Sequence, residues 1–114
     1  MFTLLAAVMA LNAPQEAPTV QAVPYDEAVR CAGLSQAASE LEGSESGRGR
    51  TLFDAALYWS LAAMQMSQFA GRPDAQAETD QTRARLRAVR ELSAGDAAAR
   101  AALDACLQRT PNLG

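Results

Sequence analysis

Residues 51–70 read TLFDAALYWSLAAMQMSQFA, and this stretch decides the fold. Apolar side chains recur at three- and four-residue steps along two stripes. One is Leu52, Ala56, Trp59, Ala63 and Met66; the other is Phe53, Leu57, Leu61 and Met64. That period is helical. No charge falls between Asp54 and Arg72. A helix apolar nearly all round is buried, or it faces a partner or a membrane. Ser60, Gln65, Ser67 and Gln68 interrupt the run. These interruptions select a buried central helix over a membrane span.

The flanks define three more helices. Upstream, residues 43–50 hold three glycines and two serines and read as a flexible loop. Before it, Asp26 to Glu42 carries the stripe Ala28, Cys31, Leu34, Ala38 and Leu41, with Asp26 as the expected N-cap. Downstream, Gly71 stops the central helix, and Pro73 opens a third that runs to about Leu92. Its stripe is thin (Thr79, Thr82, Leu86, Val89), so it is expected to be the most weakly anchored. Gly95 stops it. Asp96 caps a fourth helix that runs to about Arg109, with the stripe Ala99, Ala102, Leu103 and Cys106. Short connections make consecutive helices antiparallel. The expectation is an all-α, up-down four-helix bundle formed by residues 25–110, with a tail at 111–114.

Composition agrees with that class. The chain has 114 residues, enough for one domain, and it is rich in alanine with no isoleucine. All ten basic residues are arginine, and the net charge is −3. This mild acidity gives no support for nucleic-acid binding. Histidine is absent. Its absence removes serine–histidine and cysteine–histidine catalysis, together with histidine-ligated zinc and haem.

The N-terminal run Met1 to Leu11 is apolar and uncharged, about half the length of a span. It reads as the core of a signal peptide within residues 1–17, without a basic residue before it. Val8-Met9-Ala10 suits cleavage after Ala10; a cut after Ala13 or Ala17 leaves a proline first. Residues 18–24 form a proline-containing linker. The expected location is therefore exported, periplasmic or secreted.

The two cysteines fit both readings. Cys31 lies about five residues into the first helix, and Cys106 about three from the end of the fourth. In an up-down-up-down bundle those positions share one end, at depths about 3 Å apart. Both lie on inward stripes. The expectation is a Cys31–Cys106 disulfide, which an exported protein retains. No Cys-x-x-Cys pair points to redox catalysis.

Other motifs give weaker leads. Met64 and Met66 sit about 200° apart on a helix and do not face one metal ion. Gly47-Arg48-Gly49-Arg50 lacks a preceding strand and any P-loop pattern. Arg83, Arg85, Arg87 and Arg90 are balanced by Glu78, Asp80 and Glu91. No carboxylate pair resembles an acid–base dyad. The sequence therefore assigns no catalytic, cofactor-binding or metal-binding residue. It points to a non-catalytic exported protein acting by protein contact, with Trp59, Tyr58 and Phe69 as candidate contacts if the second helix is not wholly buried, and no identified partner. An accessory domain held at the membrane by an uncleaved Met1 to Leu11 is the alternative.

Overall fold

The computed structural model describes residues 23–112, which form four α-helices and no strand. They are α1 (Tyr25–Glu42), α2 (Gly47–Phe69), α3 (Asp74–Ser93) and α4 (Ala97–Gln108). The signal-peptide reading of residues 1–17 lies outside the described residues, as does most of the 18–24 linker. Val23, from the end of that linker, is already buried in the core.

The central helix is α1, not α2. Helix α1 packs along both α2 and α3, and α4 lies against it as well. The reason is side-chain size. Between Ala28 and Ala38, α1 buries Leu34 and Cys31 together with the small Ala28, Ala32, Gly33, Ser35, Ala37 and Ala38. Small side chains let helix axes approach closely. Gly33 marks the tightest point: a Cβ there would lie 2.5 Å from the Ala84 carbonyl carbon of α3. Only glycine fits beneath that backbone.

Helix α3 is therefore well anchored, contrary to the sequence reading. Its buried positions are Ala77, Gln81 and Ala88. The expected stripe does not form the seam: Thr79, Thr82 and Leu86 are exposed, and only Val89 is partly covered. Counting large apolar residues picked the wrong face, because this interface is built from alanine. Polar ties reinforce it. Glu91 accepts from Arg30 of α1 at 2.9 Å and from Arg87 at 3.1 Å. Arg85 of α3 reaches Glu40 of α1 at 3.2 Å. The Tyr25 hydroxyl donates to Asp80 at 2.7 Å, while Arg72 lies over the Tyr25 ring at 4.3 Å.

Helix ends follow local chemistry. Asp96 caps α4 by accepting from the Ala99 N–H at 2.9 Å, as expected. Asp26 does not cap α1: Pro24 holds that position without a side-chain cap, and Asp26 lies in the first turn. Helix α2 begins four residues earlier than expected, because Ser46 accepts from the Gly49 N–H at 2.9 Å. Residues 47–50 are thus helix rather than loop. Gly49 also permits the α1–α2 connection: a Cβ there would fall 1.8 Å from the Gly43 carbonyl oxygen. Gly71 closes α2 at φ 70°. The Gly71 N–H bonds to the Gln68 carbonyl and the Arg72 N–H to the Ser67 carbonyl, a Schellman pair. Gly95 ends α3 in the same way, with bonds to Leu92 and, from Asp96, to Glu91.

Cys31 and Cys106 form a disulfide with Cα atoms 5.6 Å apart, joining α1 to α4. Both are buried. Trp59 completes this end of the core. Its indole N–H donates to the Thr110 hydroxyl at 2.8 Å, and that hydroxyl donates to the Cys106 carbonyl at 2.8 Å. Arg109 stacks over the Trp59 ring and pairs with Glu27. The end of α4 is thereby held to both α1 and α2.

Candidate functional site

Helix α2 has two unlike faces. Leu52, Ala55, Ala56, Tyr58, Trp59, Ala62, Ala63 and Ser67 are buried. Phe53, Leu57 and Leu61, spaced by four residues, are 52%, 54% and 54% exposed. Spacing of four places them in one row, about 12 Å from first to last at 1.5 Å per residue. Met64 extends the row and is half-buried. The first of the two sequence stripes is thus core, and the second faces outward. The reason is positional: α2 packs chiefly on α1, and among the described residues no element lies over its outer face.

The candidate contacts divide accordingly. Trp59 is 1% and Tyr58 8% exposed; their rings pack edge to face, with centroids 5.1 Å apart. They hold the core and are not available to a partner. Phe69 is 84% exposed at the end of α2. Phe53, Leu57 and Leu61 were legible as a stripe but not as a surface, because a periodic pattern does not say how many neighbours a helix has.

A shallow groove runs beside Phe53 and Leu57, where α2 meets α1. It encloses about 200 Å³ and is lined also by Gln36, Ser39, Glu40, Ala56 and Ser60. Gln36 donates to the Ser60 hydroxyl at 2.7 Å across it. The groove therefore has an apolar wall from α2 and a polar wall from α1.

A larger pocket of about 360 Å³ opens where the end of α1, the start of α2, the end of α3 and the first turns of α4 converge. Ala38, Leu41, Leu52, Leu92 and Leu103 line it, with Glu42, Arg48, Ser93 and Arg100 among its polar groups. Arg48 faces Glu42 at 3.5 Å. A third hollow of about 280 Å³ lies between α2 and the chain after α4, lined by Thr51, Asp54, Ala55, Leu107, Thr110, Pro111 and Asn112.

Among the described residues two ionisable groups are clearly perturbed, and both belong to the framework. Burial and the hydrogen bond to Asp80 push the Tyr25 hydroxyl up to about 12. The hydrogen bond from Arg30 holds Glu91 below the usual glutamate range against the opposing effect of burial, and the hydrogen bond from Arg87 adds to the lowering. Neither faces a pocket described above. Among the described residues, no group of three or more cysteine, aspartate or glutamate side chains is placed to hold a metal ion. Nor is any helix long and apolar enough to cross a membrane. No family model, curated protein or solved structure matches the chain.

Proposed function

We propose that this is a non-catalytic, exported helical protein that acts by protein contact through the outer face of α2. The observation that carries the reading is the row Phe53, Leu57 and Leu61, each about half exposed on a helix that has no charge between Asp54 and Arg72. Covering the open half of one such side chain gains on the order of 1 kcal/mol. Contiguous apolar patches of a few hundred Å² mark contact sites more often than scattered apolar residues do. The flanking groove adds the polar wall of α1, which suits the rim of a protein interface. Phe69 extends the contact at the C-terminal end of α2.

Export is supported by the apolar Met1 to Leu11 and by the Cys31–Cys106 disulfide, which is retained in oxidising compartments. The same two features support a periplasmic or secreted location.

A photo-crosslinking amino acid placed at position 57 or 61 tests the contact in the native host. Discrete protein adducts are expected at both positions, and none from the exposed position 82 on α3. Equal labelling from all three, or none from α2, overturns the reading. Intact mass of the protein from its host tests export: a shortened chain that takes up alkyl groups only after reduction is the expected result.

A further inference from the structure

We infer that the pocket at the convergence of the four helices binds a small monoanionic amphiphile, a single carboxylate on a hydrocarbon body of about ten carbons. Three observations carry this. First, all four helices contribute to the pocket, so it is a property of the assembled bundle and not of one loop. Sites between the helices of bundles are a common place for small ligands. Second, its wall is leucine-rich. Leu52 and Leu103 are almost fully buried, while Leu41 is 52% exposed at the rim. Its 360 Å³ is at the low end for ligand pockets. At about 30 Å³ per water-sized group, it holds roughly a dozen heavy atoms. Third, the charge at the rim is unbalanced by one. Arg48 is neutralised by Glu42, whereas the Arg100 side chain has no hydrogen-bond or ion-pair partner among the described residues. One unpaired guanidinium in a pocket whose accessible apolar lining includes Leu41 and Leu92 matches one carboxylate, which it can hold by two parallel N–H bonds. This site is separate from the outer row of α2, and either assignment stands without the other.

Titration of the oxidised, isotope-labelled protein with decanoate, followed by amide NMR, tests the inference. Decanol serves as the uncharged match and inorganic phosphate as an anion without a tail. Decanoate is expected to shift the amides of Leu41, Leu92 and Leu103 saturably, with a dissociation constant of roughly a millimolar or tighter. Decanol is expected to bind about fivefold more weakly, and phosphate not to saturate. Arg100→Gln, a surface change that leaves the fold intact, is expected to weaken decanoate about fivefold and leave decanol unchanged. Leu41→Gln is expected to weaken both. Failure of decanoate to saturate overturns the inference. So does equal binding of decanol, indifference to both substitutions, or saturable shifts confined to Phe53, Leu57 and Leu61.

Discussion

Helices α1 and α2 invert what their sequences promise. Helix α2 carries the large apolar residues, yet it leaves Phe53, Leu57 and Leu61 about half exposed. Helix α1 is modest in hydrophobicity, yet Ala28, Ala32, Leu34, Ser35 and Ala37 are fully buried. The difference teaches that position in a small bundle follows approach distance as well as hydropathy. A helix with small residues on more than one side accepts neighbours on each of them. A helix with large residues fills one interface and presents the remainder to whatever lies outside.

The sharpest way to break the contrast is to cut α1 from α4. Replacing both Cys31 and Cys106 by alanine opens a loop with a sequence separation of 75. The chain-entropy model gives a loss of about 4.5 kcal/mol at 25 °C, as an upper figure. Urea melts of the oxidised and alanine forms measure it. Next in size is Gly33→Ala. The added methyl meets the Ala84 backbone, which cannot swing away as a side chain would. A loss of about 1–3 kcal/mol is expected, with the α1–α3 contact loosened first. A change no larger than 0.5 kcal/mol would show that α1 is not held by close approach.

A smaller effect comes from pH. Glu91 is held below its ordinary value of 4.5, mainly by Arg30, with its side chain 22% exposed. Its ionised form is favoured more in the folded chain than in the unfolded one. The stability it adds is complete above about pH 4.5 and is lost as pH falls through the lowered folded value. Glu91→Gln should be less stable than the parent at pH 7, and the gap should close on acidification. The smallest effect is expected on α2. Leu57→Gln alters an outward position and should change stability by no more than about 0.5 kcal/mol. The same change should reduce crosslinking from position 61. A large loss of stability instead would return α2 to the core.

Much of the architecture was legible before the structure. Four helices, the stops at Gly71 and Gly95, the Asp96 cap and the Cys31–Cys106 pairing all followed from periodicity, turn chemistry and helix depth. The seams did not. Thr79, Thr82, Leu86 and Val89 were the natural stripe of α3 because reading a stripe weights large apolar side chains. The actual seam uses Ala77, Gln81 and Ala88, whose value depends on how near Gly33 lets the backbone come. A warning was present in α1, where small residues dominate from Ala28 to Ala38. Trp59 was misread as a contact for a related reason. Large aromatics serve interfaces and cores alike, and its indole partner, Thr110, is 51 residues away. The outer row of α2 was legible as periodicity, but its exposure depended on where the neighbouring helices pack, which periodicity does not encode.

The disulfide also determines how this domain carries load. Traction applied to the chain on both sides of the crosslink meets at Cys31 and Cys106. The crosslink takes the tension, and the 75-residue span between those cysteines is bypassed. At about 3.5 Å per extended residue, roughly 260 Å of contour length stays hidden from a stretching force. A pull from outside the crosslink would leave α2, α3 and the pocket beside them in place. Reduction would add that hidden length to the extensible chain and expose the bundle to the pull.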